Sequence, residues 1–362
     1  MKIKPPSSSL FVGLAGLLST AYLAFVVTWP AAAPTVRRQM IEASRLMAAA
    51  EAGIGACREA AGLPVDAKAD PNRTGLIGIE LSPITTTLGN IESKRTTTNP
   101  NFGGLAAFLL SEAGVKAGDT VAVGASGSFP ALIIAVLAAA KAMDLRLLLI
   151  VSLGASEWGA NDPAFTWLEM SECLAAKRLL DVKPIALAVG GGEDVGHEMG
   201  AGGRSGLMEK IRRSGIAFID EPDLERNVRA RLQAYDAAAA GRPIHAFVNV
   251  GGSWANIGTD AGVLKLRPGL VDAVPSTAAV GRGVLLTMAA RGVPVIHLLN
   301  IPGLAERYGL PWDPRPLPGP GEGLLYRLVS QGSGLFAAVT GIYAVLVVLL
   351  LLAAARGRRF TF

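Results

Sequence analysis

The sequence predicts an α/β protein: a doubly wound, mostly parallel sheet domain set between two single transmembrane helices. Three observations predict it. Each end of the 362-residue chain carries an uncharged apolar stretch of the length that crosses a bilayer. From about residue 118 onward, short aliphatic runs alternate with helical patterns, the mark of a parallel sheet covered by helices. A proline-rich segment then separates that region from the second apolar stretch.

Residues 1–9 carry Lys2 and Lys4 and are expected to stay in the cytoplasm, because basic residues beside a span tend to remain there. Residues 10–29 form the first span. A cleaved signal peptide is the rival reading, given Ala31, Ala32 and Ala33. However, the stretch exceeds an h-region of about 7 to 15 residues, and Pro30 and Pro34 crowd a cleavage site. Residues 335–355 form the second span, and Arg356, Arg358 and Arg359 follow it in a cytoplasmic tail of residues 356–362. Arg37, Arg38 and Arg45 pull the other way, yet both ends inside is the expected topology. The middle of the chain then lies outside the cytoplasm.

Residues 30–78 read as a helical stalk or a first packing helix, ended by Gly62-Leu63-Pro64 and followed by a polar loop. Residues 79–310 form the α/β domain. Strands are expected at 120–124, 145–153, 185–189, 216–219, 244–250 and 293–299. Helices are expected near 131–143, 169–180, 205–214, 223–240 and 281–291. The second strand is almost unbroken aliphatic sequence, which suits a position covered on both faces. Residues 311–334, with Pro314, Pro316, Pro318 and Pro320, predict an extended tether to the second span.

The net charge of +5 is an end effect. Setting aside Lys2, Lys4, Arg356, Arg358 and Arg359 leaves 29 basic residues against 29 acidic ones, so the middle is formally neutral. That excludes a nucleic-acid partner, since no basic stripe interleaved with aromatics remains. Cys57 and Cys173 exclude a disulfide-dense mini-domain. They either form one bridge or lie buried as small apolar side chains.

Ligands of open parallel sheets bind beyond the carboxyl ends of the strands. Four such ends here are rich in glycine, beside hydroxyl, amide, indole or carboxylate groups: residues 124–130, 154–162, 190–194 and 251–256. In the first, Ser126, Gly127 and Ser128 precede Pro130 at a helix start, so they either face an anion or cap the helix. Ser126 is the candidate nucleophile, although G-x-S-x-G is incomplete because Ser128 stands in its last position. Ser156, Trp158, Asn161 and Asp162 in the second loop, and Gly252, Ser253 and Trp254 in the fourth, are candidate ligand contacts. The alternative for the tryptophans is plain packing. Thr85, Thr86 and Thr87 with Lys94 and Arg95 offer hydroxyls and cations to a carboxylate, or else make strand and turn.

Glu193, Asp194 and His197, with Glu198, are the one acidic cluster holding a histidine, and its spacing fits no familiar metal motif. No cofactor is expected, and His245 and His297 are expected as core histidines.

The stretch 79–102, with Ser82-Pro83-Ile84-Thr85-Thr86-Thr87-Leu88-Gly89 and Lys94-Arg95-Thr96, resembles the poly-gamma-glutamate system protein family of bacterial capsule synthesis. So do Gly127-Ser128-Phe129-Pro130-Ala131-Leu132 and the run from Gly154-Ala155-Ser156 to Pro163. The resemblance implies a place beside a poly-gamma-glutamate ligase in the plasma membrane. It supplies no catalytic residues. The expected function is therefore a membrane-anchored accessory component of poly-gamma-glutamate synthesis or export. Its outer domain would bind the polyanion or the synthase complex. Two alternatives remain: a serine-dependent hydrolase or transferase acting on the polymer through Ser126, and a phosphosugar-binding module like that of sugar isomerases.

Overall fold

The computed structural model describes residues 8–28, 34–259, 261–271, 281–327 and 334–358. Lys2, Lys4, Ala31 to Ala33 and Arg359 lie outside them, as do residues 328–333 of the expected tether. The chain divides into two compact units, residues 1–37 with 326–362, and residues 38–325.

In the first unit, α1 (Ser8–Thr28) and α12 (Gly334–Arg358) pack against each other. Both are long and apolar enough to cross a membrane, and only 6% of each apolar window is buried, unlike the core helix of a globular domain. Their contacts are aromatic and polar. Tyr22 stacks on Tyr343 at 4.0 Å, and hydroxyl pairs join Ser19 to Tyr343 at 3.0 Å and Tyr22 to Thr340 at 2.8 Å. Between two apolar helices such bonds fix rotation about the axis, because each hydroxyl pair forms in one rotational register.

The second unit is built on a seven-stranded sheet. Its strands are β1 (Thr120–Ser126), β2 (Arg146–Ser152), β3 (Ala186–Ala188), β4 (Ala217–Ile219), β5 (Ile244–Val250), β6 (Gly269–Leu270) and β7 (Val295–Leu298). The order is β4-β3-β2-β1-β5-β7-β6, parallel throughout except for the antiparallel β6 at the edge. The chain thus steps outward from β1 one way, then returns to β5 and steps out the other way. All six expected strands are present, and β6 is the one the pattern misses.

Covering helices explain why β1 is buried along its whole length. In α5 (Pro130–Met143) all residues but Lys141 and Ala142 are buried, so the apolar run with no polar face is a core helix. On the other face, α8 (Leu224–Ala239) and α10 (Val284–Ala290) pack Tyr235, Leu285 and Met288 against Phe247 and Ile150. The domain also includes α6 (Trp167–Ala176), α7 (Ala201–Ser214), the short α9 (Trp254–Ile257) and α11 (Ile301–Tyr308).

One open alternative is settled and one expectation changes. From residue 38 onward, α2 (Pro34–Ala60) is a packing helix and not a stalk: Met40, Met47 and Ile54 are fully buried, and the Ser44 hydroxyl accepts from Gly104 N–H. It meets α4 (Asn101–Glu112), where a Cβ on Gly103 would lie 2.7 Å from the Ala43 carbonyl oxygen, so glycine permits the close approach. The proline-rich segment is no free spacer either. Asn101 holds it from both sides, donating to the Gly319 carbonyl at 3.1 Å and accepting from Gly321 N–H at 3.0 Å.

Cys57 of α2 is bonded to Cys173 of α6, so the bridge is formed and the alternative of two buried thiols falls.

Candidate functional site

The strand order reverses beside β1, so the loops after β1 and β5 diverge and leave a crevice, the place where open α/β sheets bind ligands. A cavity of about 450 Å³ opens there. Ser126 and Ser128 reach it from β1, Ser152 and Ser156 from β2, Gly252, Ser253 and Trp254 from β5, and Asn300 from the end of β7. Gly251, at φ +80°, turns the chain out of β5 in a conformation that favours glycine.

A second layer comes from upstream of the sheet. Thr86 N–H donates to the Ala155 carbonyl at 2.9 Å and Glu157 N–H to the Thr87 carbonyl at 3.0 Å, which lays residues 85–87 along the β2 loop. Thr86 and Thr87 thereby line the cavity. Behind them α3 (Ile91–Thr97), capped by Asn90, carries Lys94 into its wall.

Lys94 is 3% exposed. Its ammonium nitrogen donates to the Ser156 hydroxyl at 2.7 Å and to the Ser128 carbonyl, and it lies 4.0 Å from the centre of the Phe129 ring. Burial pulls its pKa down to about 7, with the Glu157 carboxylate acting in the opposite direction. The three serines form a chain: Ser126 donates to the Ser128 hydroxyl at 3.0 Å, which also accepts from Ser156 N–H at 2.9 Å. Gly127 allows this crowding, because a Cβ there would meet the Leu153 carbonyl oxygen at 2.5 Å.

Beneath the cavity lies an ion pair that sequence reasoning missed. Asp194 and Arg231 have no exposed side-chain surface and bond to each other. Ser152 donates to Asp194 at 2.7 Å and accepts from Arg231 at 2.9 Å, while Asn227 accepts from Arg231 at 3.0 Å. Arg231 sits in a helix whose period alone accounted for it, so no local signal marked it. Ser152 was legible in principle as a hydroxyl ending an aliphatic strand.

The cavity gathers Thr86, Thr87, Lys94, Ser126, Ser128, Ser156, Gly252, Ser253 and Trp254. Other expected contacts do other work. Thr85 and Asn161 bond to each other at 3.0 Å, and Asn161 also clasps the backbone of Ile79. Asp162 pairs with Arg58 at 2.9 Å. Arg95 makes a two-pronged bond to Asp313, which holds that carboxyl below its ordinary pKa and removes Arg95 as a ligand cation. Gly127 shapes the turn, and Trp158 is half-buried and outside the lining. Trp254, at 44% exposure on the rim, departs from the packing alternative.

Ser126 has no base bonded to it: its hydroxyl donates to Ser128 and accepts from Ser128 N–H. The metal candidate also fails, since Asp194 turns inward while exposed Glu193 faces His197 at 2.9 Å, and no metal-sized group of three such residues occurs among the described residues. His297 is a core histidine, its Nδ1 accepting from Asn249 and its pKa lowered by burial to about 4. His245 departs from expectation: it is part-exposed beside Asp119, with 3.4 Å between Nε2 and Oδ1.

No family model, curated protein or solved structure matches the chain.

Proposed function

We propose that this chain is a membrane-anchored component of poly-gamma-glutamate synthesis or export. In this reading its α/β domain stands outside the cytoplasm and takes a segment or end of the polymer into the cavity. The cavity carries the reading: it sits at the reversal of the strand order, is lined by hydroxyls and an indole, and contains a buried amine that can meet a carboxylate or an amide carbonyl.

Three further observations support the setting. Two apolar helices are compatible with membrane anchoring. The Cys57–Cys173 bridge suits an oxidising compartment and would be unusual in the cytoplasm, where phosphosugars abound, so it weighs against the sugar-isomerase-like alternative. The stretches 79–102, 127–132 and 154–163, which carry the resemblance to the poly-gamma-glutamate system family, include Thr86, Thr87, Lys94, Ser128 and Ser156 of the cavity.

At about pH 6, where the Lys94 amine is protonated, full-length protein in nanodiscs should bind poly-gamma-glutamate oligomers by calorimetry, and Lys94→Met should weaken that binding at least about tenfold, as expected for loss of a charge-assisted contact. Absence of binding by the unmodified protein would remove the polymer from the reading. Protease added to spheroplasts should cut the central domain, and a protected domain would reverse its proposed side.

A further inference from the structure

The cavity wall holds a juxtaposition that ligand binding alone does not require. Lys94 is a lone buried amine whose nitrogen touches a hydroxyl, and that hydroxyl, Ser156, lines the cavity. Simple recognition of carboxylates is better served by an exposed or permanently charged group, and Arg95, the next residue, is instead tied to Asp313. A nucleophilic serine needs an adjacent base held in place by other groups, and amines serve as that base in serine–lysine enzymes.

We propose that Ser156 and Lys94 form a nucleophile and general-base pair that cleaves or transfers an amide-linked acyl group presented in the cavity. The proposal rests on the cavity being this chain's ligand site. It moves the nucleophile from Ser126, whose hydroxyl is bonded only within its own loop, to Ser156.

The neutral Lys94 amine accepts the Ser156 hydroxyl proton as the oxygen attacks the amide carbonyl carbon. The C–N bond breaks, and the departing amine takes that proton from the Lys94 ammonium. The resulting Ser156 ester is then attacked by water, which gives a proton to Lys94, and Lys94 returns it to the Ser156 oxygen as a carboxylic acid leaves. A second amine in place of water gives transfer.

Two features hold the pair in register. The Ser128 carbonyl accepts one N–H of Lys94, and the Ser128 hydroxyl accepts from Ser156 N–H, which makes Ser128 a positioning residue. Phe129 presents its ring to the same nitrogen and excludes water from that side. The groups that act on the charge of Lys94 are the buried surroundings, which favour the neutral amine, and Glu157, which opposes them. Glu198 lines the cavity, and on the helix of Lys94 itself Arg95 is 3.9 Å from Glu92.

The test uses the full chain in detergent with a fluorophosphonate probe, which reacts with activated serines irrespective of substrate. The expected result is one adduct, mapped by mass spectrometry to Ser156, forming at a rate that rises with pH to a plateau with its midpoint near 7. Lys94→Met should slow labelling by about 100-fold or more. A second variant covers the case in which Lys94→Met does not fold. Ser156→Cys introduces a single free thiol, because the two native cysteines are bonded to each other. Iodoacetamide should alkylate that thiol at pH 7 at least about tenfold faster than a free cysteine, since the adjacent amine favours the thiolate.

Absence of a Ser156 adduct, or equal labelling of a folded Lys94→Met protein, overturns the proposal, as does alkylation no faster than that of a free thiol. Its failure is separable from that of the polymer reading. Polymer bound without serine labelling removes only the chemistry, whereas labelled Ser156 without polymer binding removes only the polymer.

Discussion

Asp194→Asn should cost the domain about 3–5 kcal/mol, the range for removing one partner of a fully buried ion pair. Neither Asp194 nor Arg231 has exposed side-chain surface, so solvent cannot compensate the charge left behind. Asparagine is the informative replacement because Asp194 has φ +66°, a conformation that Asn tolerates, so the variant tests charge and not backbone strain. Arg231→Met should fall toward the low end, about 3 kcal/mol, because Asp194 would keep donors from Ser152 at 2.7 Å and Asn227 at 3.3 Å. The double variant removes both charges and should cost at least about 2 kcal/mol less than the sum of the singles. Denaturant titration of the full chain in detergent, followed through the fluorescence of fully buried Trp167, reads all three. Singles that cost under about 1 kcal/mol and add in the double would refute the claim that this pair is the buried foundation of the cavity.

Replacing Cys57 and Cys173 by serine opens a link between positions 116 residues apart, and thermal melts with and without reductant should show a loss of about 2–4 kcal/mol, with the chain-entropy relation setting a ceiling near 5. Lys94 gives stability a pH dependence of definite sign. Its folded pKa is near 7 and its ordinary value 10.5, so the unfolded chain holds the extra proton between them, and stability rises with pH across that window by up to about 1.4 kcal/mol per unit. Below pH 7 the burial penalty is fully present, and Lys94→Met should flatten the profile between pH 7 and 10. Asp313→Ala removes both bonds to Arg95, at a cost of about 1.5–3 kcal/mol, and limited proteolysis should then cut within residues 311–325 at a rate about 10- to 100-fold higher. That strap should also loosen as pH falls through the lowered pKa of Asp313, because a carboxyl depressed in the folded state contributes stability above its ordinary pKa and loses it in acid.

The sheet was legible because its strands are aliphatic runs with helices between them, a pattern set by burial on both faces. The segment 91–112 was not. Three consecutive threonines and Asn99-Pro100 favour strand and turn, yet Thr97 and Thr98 lie at the end of a helix. Their hydroxyls donate to the carbonyls of Lys94 and Arg95 at 2.7 and 2.8 Å, so polar groups that compete with a helix in isolation are satisfied by it here. Strand β6 escaped because two residues carry no alternation to read.

The candidate site divides along the same line. Serines and glycines at the ends of β1, β2 and β5 could be located because topology alone directs strand ends to a ligand. Which of two adjacent cations enters the cavity could not, since Lys94 and Arg95 are equivalent by composition. Their helix decides it by turning successive side chains about 100° apart, so one faces Ser156 and the other Asp313. The partner that claims Arg95 comes from a proline-rich segment 218 residues away, and it leaves the weaker and titratable cation in the wall. A permanently charged guanidinium in that place would bind a carboxylate but could not accept the proton of a serine. The choice between holding a ligand and reacting with it therefore turns on a long-range pairing that no local pattern discloses.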